Sequence, residues 1–122
     1  MIKVFIDQGH NPTNPNAGAE GSGLREQDLV YEIGIRLAEL LNSDPEFDAR
    51  LSRNSPTEIL GETTAQSLRA RTDAANSWGA DIFISLHANA STVTSVSGSE
   101  GLVYKIPSAA YTLSEDILTE LS

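Results

Sequence analysis

The apolar residues of this chain change period several times along its length, and that switching constrains the fold more than any other feature. Short, continuously apolar runs mark strands, whereas apolar residues three and four apart over a dozen positions mark helices. Ile2 to Ile6 is a β-rich run, ended by Asp7-Gln8-Gly9-His10. Residues 11–23 are dense in turn formers and read as a loop. Leu29, Val30, Ile33, Leu37, Leu40 and Leu41 then recur at helical spacing, which predicts a helix from about Arg25 to Asn42. Ala49 to Ser52 is a weaker, short strand. A second helix is predicted from about Thr64 to Trp78, with Ala65, Leu68, Thr72 and Ala75 on one stripe and Gly79 as its stop. Asp81 to Leu86 is the next clear strand. Glu100 to Ile106 is expected as another, joined to it by the Ser/Thr/Gly-rich segment 91–98. Ala110, Leu113, Ile117, Leu118 and Leu121 form a last helical pattern.

Alternating strands and helices imply an α/β fold with right-handed crossovers, a three-layer arrangement of an open sheet flanked by helices. The connection from Leu86 to Glu100 is too short and turn-rich to hold a helix and fits a hairpin. The sheet is therefore expected to be mixed, mostly parallel with one antiparallel strand. At 122 residues the chain has room for one domain, spanning 1–122. The final helical pattern reaches Ser122 with no capping Gly and no strand to return to, so the expectation is a domain cut short at its C-terminal end. A missing strand would leave a sheet edge open to pairing with another chain.

Charge narrows the function classes. Eight Lys+Arg against 17 Asp+Glu give a formal net charge of −9, which opposes binding to a nucleic-acid backbone or to anionic lipid. Cysteine is absent, so disulfides and thiolate metal sites are excluded. The apolar run at the N-terminus is too short for a signal-peptide core or a membrane span.

The chain has two histidines, and both follow apolar strands, in Phe5-Ile6-Asp7-Gln8-Gly9-His10 and Phe83-Ile84-Ser85-Leu86-His87. If those strands are parallel, both imidazoles emerge at the carboxyl edge of the sheet, where open α/β sheets bind ligands. One histidine at a strand end is better explained by a hydrogen-bonded core or surface role, whereas two at equivalent positions leave that reading and the ligand reading evenly weighted. Two His with one carboxylate form a known catalytic zinc set that leaves a position open for water. Glu26, Val30, Ile33 and Leu37 lie at offsets of four, three and four, so Glu26 heads the stripe expected to pack on the sheet. The other reading of Glu26 is a carboxylate complementing the helix dipole, worth about 0.3–1 kcal/mol.

The remaining features read as structural. Gly18-Ala19-Glu20-Gly21-Ser22-Gly23 does not follow the dinucleotide fingerprint, and its carboxylate would repel a pyrophosphate. Arg53, Arg69 and Arg71 read as surface or packing cations, and Trp78 as core. Ser85 has no histidine to spare as a base, which argues against a serine nucleophile.

Asp7-Gln8-Gly9-His10, Gly21-Ser22-Gly23-Leu24-Arg25-Glu26, Arg71-Thr72-Asp73-Ala74-Ala75-Asn76 and Ala80-Asp81-Ile82-Phe83-Ile84-Ser85-Leu86-His87-Ala88-Asn89-Ala90 together resemble the zinc-dependent N-acetylmuramoyl-L-alanine amidases. Gly98-Ser99-Glu100 with Tyr104 is similar to the strand that follows in that family. The resemblance spans essentially the whole chain. It implies a Zn2+ ion held by His10, Glu26 and His87, peptidoglycan as substrate, and a weak substrate-positioning role for Asn89. It implies hydrolysis of the amide joining N-acetylmuramic acid to L-alanine, as in autolysins and endolysins acting on the cell wall. Lacking a signal peptide, such a chain would be a phage-released lysin or an excised domain of an exported enzyme. Two departures matter. Asn11-Pro12 stands where the family usually has glycines after its first histidine. The family's further glutamate, its general base on a strand beyond the final helix, has no counterpart among Glu100, Glu115 or Glu120. The alternative is therefore a metal-binding module that binds wall fragments or a protein partner without turnover.

Overall fold

β1 (Ile2–Gln8) is the central strand of a three-stranded parallel sheet in the computed structural model, which describes residues 1–88 and 98–122. A two-stranded antiparallel ribbon, β2 (Glu20–Gly21) and β3 (Leu24–Arg25), leads into helix α1 (Glu26–Asn42). Strand β4 (Phe47–Leu51), helix α2 (Thr64–Trp78) and strand β5 (Ile82–Leu86) complete this unit. β1 pairs parallel with β4 on one side and with β5 on the other, so the order is β4-β1-β5. The expected α/β architecture with a mostly parallel, helix-flanked sheet is what forms. No helix among the described residues is long and apolar enough to cross a membrane.

Strand pleating sorts β1 into two faces. Val4 and Ile6 pack with Ala38, Leu37 and Leu41 of α1 and with Ala49, Leu51, Ile82 and Ile84. Phe5, on the opposite face, stacks on Phe83 at a centroid distance of 5.7 Å and meets Trp78 of α2 at 6.5 Å. The helices thus cover opposite faces of the sheet.

Both helices dock along lines that differ from the apolar stripes in the sequence. α1 buries Glu26, Gln27, Val30, Tyr31, Gly34 and Ala38, while Ile33 is 53% exposed. Gly34 is the reason. A Cβ there would stand 2.5 Å from Gln8 Cγ, so the helix approaches the sheet through its glycine and turns Ile33 outward. α2 buries Ser67, Arg71 and Ala75 and leaves Leu68 exposed; besides Trp78 against Phe5, it meets β1 through Arg71, which binds Asp7 and the Gln8 carbonyl. Its ends follow local rules. Thr63 accepts from the Gln66 N–H at 3.1 Å, and Gly79 adopts φ 78°, a left-handed stop that glycine takes at little cost.

Residues 98–122 belong to a second compact unit, Ala90–Ser122, whose described element is helix α3 (Ala109–Leu121). Ser108 caps it by accepting from the Tyr111 N–H at 3.0 Å. The strand expected over Glu100 to Ile106 is not formed; these residues have no ladder partner among the described residues, and Leu102, Tyr104 and Ile106 are exposed. An extended run becomes a strand only when a second strand takes up its backbone N–H and C=O groups, and this unit supplies none among its described residues. Among the described residues the three-stranded sheet is therefore parallel throughout, without the expected antiparallel member.

Candidate metal centre

Because β1 and β5 run parallel with Gln8 opposite Leu86, the residues just beyond them leave the sheet together. The Gly9 N–H donates to the Leu86 carbonyl at 3.0 Å, which carries the register past the strand end to the two histidines. α1 begins beside them: the Glu26 N–H donates to the Ala19 carbonyl at 2.9 Å, setting the first turn of the helix at this edge.

Three donor atoms converge there. His10 Nε2 lies 3.0 Å from Glu26 Oε2, His87 Nδ1 lies 3.3 Å from the same oxygen, and the two ring nitrogens are 3.3 Å apart. The rings meet edge to face, at 5.0 Å between centroids and 83° between planes. Ligands about 2.0–2.1 Å from a tetrahedral ion stand about 3.3 Å from one another, so this triangle has the edge lengths of one face of such a tetrahedron. The set is two imidazoles and one carboxylic side chain, a donor chemistry suited to zinc. Its burial is graded, with Glu26 buried, His10 half-buried and His87 exposed, so one side of the triangle opens to solvent.

The surroundings hold each donor. Glu26 Oε2 accepts the Ala88 N–H at 3.0 Å. His10 Nδ1 faces Asn16 Oδ1 at 3.2 Å, leaving Nε2 for the cluster. His10 has φ 67°, in the left-handed region that disfavours side chains, and such strain persists where its surroundings over-determine it. The residue that does so is Arg71, which is 2% exposed. Its Nη2 donates to the His10 carbonyl at 2.8 Å and to Asn11 Oδ1 at 3.0 Å, and its Nη1 to Asp7 Oδ1 at 2.9 Å and to the Gln8 carbonyl. Asp7 is completed by the Ser85 hydroxyl, donating at 2.6 Å, so Ser85 has a structural partner and no free nucleophilic role.

Asn11, at the departure from the family pattern, is fully buried and uses its whole amide. Its Nδ2 donates to the Pro15 and Leu60 carbonyls, and its Oδ1 accepts from the Leu60 N–H and from Arg71. Arg53 is likewise a packing cation. Its Nη1 donates to the Gln27 carbonyl at 2.8 Å, its guanidinium lies over the Tyr31 ring, and burial followed by the charge of Arg71 lowers its pKa. Arg69 is exposed, and Trp78 is half-buried beneath the guanidinium of Arg50. Asn89 lies outside the described residues.

Two glycines make room for the donors. A Cβ on Gly9 would stand 2.5 Å from His87 Cε1 and 2.6 Å from the Leu86 carbonyl oxygen, and one on Gly18 would stand 3.1 Å from His10 Cδ2. Gly9→Ala is expected to displace the His87 ring, weaken zinc uptake and cost about 1–3 kcal/mol as an overpacked site. Zinc titration and urea denaturation of the variant check this, and wild-type behaviour in both would contradict it.

Sequence reading brought His10, Glu26 and His87 to one edge, and the structure places them together. It missed Asn16, Gly9, Gly18 and the anchoring role of Arg71. For Arg71 the available signal was its position in the α2 segment four residues before Ala75, a charged group on what proves the buried line; for Asn16, a loop residue, there was none.

The family profile described as N-acetylmuramoyl-L-alanine amidase matches residues 4–122. The chain is 40% identical over 105 residues to the sporulation-specific N-acetylmuramoyl-L-alanine amidase of Bacillus subtilis, covering 85% of this chain and 36% of that one. It is 39% identical over 121 residues to the N-acetylmuramoyl-L-alanine amidase CwlM of Bacillus licheniformis, covering 98% of this chain and 43% of the relative. Among solved structures, the catalytic domain of CwlV, an N-acetylmuramoyl-L-alanine amidase from Bacillus (Paenibacillus) polymyxa var. colistinus, superimposes with a TM-score of 0.67 at 27% identity. That match covers 80% of this chain and 51% of the CwlV domain. The chain therefore spans about half, or less, of the length of these relatives.

Proposed function

Because this chain belongs to the N-acetylmuramoyl-L-alanine amidase family, we propose that it serves hydrolysis of the amide between N-acetylmuramic acid and L-alanine in cell-wall peptidoglycan, with a zinc ion held by His10, Glu26 and His87. The observation that carries the metal assignment is the donor triangle, whose edges of 3.0, 3.3 and 3.3 Å fit three corners of a tetrahedral site. An ion held by these three residues would supply Lewis-acid polarisation of the scissile carbonyl and activation of water.

The chain's own residues prepare that chemistry. His10 presents Nε2 because its Nδ1 is engaged by Asn16, and His87 presents Nδ1. The Ala88 N–H fixes the Glu26 carboxylate so that one oxygen faces both rings. The exposed His87 side leaves a path for a bulky glycopeptide. Glu26 is committed to the triangle, so the proton returned to the leaving amine must come from another group.

The test is turnover on a soluble muramoyl-peptide, read as newly released peptide with an N-terminal L-alanine. The zinc-loaded chain is expected to release it and the chelator-treated chain to stop. Stoichiometric zinc with no release would overturn the hydrolytic reading and leave a metal-binding module.

A further inference from the structure

Without a metal, the Glu26 carboxylate 3.0 Å from His10 Nε2 is itself an acceptor for the ring's hydrogen, so the one arrangement that serves a metal needs a competing partner on the other side of the ring. The neutral imidazole must bear its hydrogen on Nδ1 for Nε2 to offer a lone pair. The atom that meets Nδ1 is Asn16 Oδ1, at 3.2 Å, and an amide oxygen accepts but cannot donate. The other end of the same amide is engaged as well: Asn16 Nδ2 donates to Ser67 Oγ at 3.2 Å, and Ser67 is fully buried on α2. The backbone of Asn16 is also held. Its φ is 67°, a conformation asparagine tolerates better than most side chains, and its carbonyl accepts the Asn11 N–H at 2.8 Å. Asn11 in turn grips the Pro15 carbonyl and is gripped by Arg71. The loop is thus fastened at Pro15 and at Asn16, the residue that touches the ring.

We infer that Asn16 is a positioning residue for the metal centre: with Ser67 orienting its amide, it holds His10 in the Nδ1–H tautomer and in the ring orientation that aims Nε2 at Glu26 and His87. The inference rests on the zinc reading above for its consequence, but the tautomer can be read in the zinc-free chain, where Asn16 competes with Glu26 for the ring's hydrogen. Outer-shell partners of this kind contribute about 10–100-fold to metal affinity.

The experiment uses the full chain with Asn16→Ala, Asn16→Asp and Ser67→Ala. Zinc affinity is measured by competition with a chromophoric chelator, and the His10 tautomer by long-range proton–nitrogen NMR without zinc. Asn16→Ala is expected to weaken zinc about 10–100-fold and to lose the fixed Nδ1–H tautomer. Asn16→Asp, which keeps an acceptor at the ring, is expected to retain both, and Ser67→Ala to fall between. A merely structural role for Asn16 would lower thermal stability without moving the tautomer. Wild-type tautomer and wild-type affinity in Asn16→Ala would overturn the inference. If that variant does not fold, the same two readouts on Ser67→Ala decide, and no change in either overturns it. Absence of zinc binding by the wild-type chain would sink the metal reading instead, while the zinc-free tautomer still judges Asn16.

Discussion

Replacing His10 or His87 by Ala, or Glu26 by Gln, is expected to abolish stoichiometric zinc uptake. Each residue supplies one corner of a triangle whose longest edge is 3.3 Å, and no two corners make a site. Catalytic zinc centres rest on three protein ligands with water in the fourth position. Removal of one should therefore exceed the roughly 10–100-fold cost of losing an outer-shell partner. Equilibrium dialysis followed by elemental analysis reads the effect directly. Glu120→Gln, an exposed change at the far end of α3, is the control and should bind zinc as the wild type does. Full loading of Glu26→Gln would remove the carboxylate from the site and with it the proposed coordination.

The second large effect is on stability. Arg71→Met should cost about 3–5 kcal/mol, the range for removing one partner of a buried ion pair. Arg71 and Asp7 are 2% and 5% exposed, so the carboxylate left behind has little water to recover its solvation. The same change strips a donor from the carbonyls of Gln8 and His10 and from Asn11 Oδ1. Urea denaturation of the zinc-free chain measures the cost without interference from metal linkage. The double variant Asp7→Asn with Arg71→Met is expected to lose less than the sum of the two single changes, because the groups act as one unit. A cost below about 1 kcal/mol for Arg71→Met, the value of a surface pair, would mean that Arg71 does not anchor the strand end. Zinc affinity should fall in the same variant, since the His10 backbone is held in its left-handed conformation partly by that guanidinium.

These predictions draw on information of two kinds. The positions of β1, α1, α2 and β5 were legible because each depends on periodicity within a dozen or so residues and on local stop signals such as Gly79. Parallel pairing followed from the helical crossovers, and with it the appearance of His10 and His87 at one edge. The motif resemblance then singled out Glu26 among the carboxylates.

Docking was not legible in the same way. Ile33 and Leu68 sit on apolar stripes yet face outward, while Gly34, Ser67 and Arg71 face inward. An apolar count gives glycine and arginine no weight on a buried face. The close approach of Gly34 to Gln8 and the pairing of Arg71 with Asp7 decide which side of each helix meets the sheet.

By its residues alone, this protein determined its alternation of strands and helices, its net negative charge, and the three donors that a metal would need. The tertiary structure decided which helix faces are buried, that Glu100 to Ile106 finds no strand partner among the described residues, and which loop residue meets the His10 ring. The physical reason is range. Periodicity and capping are properties of neighbours along the chain, whereas a buried ion pair, a close backbone approach or a ring tautomer depends on atoms that only folding brings within hydrogen-bonding distance.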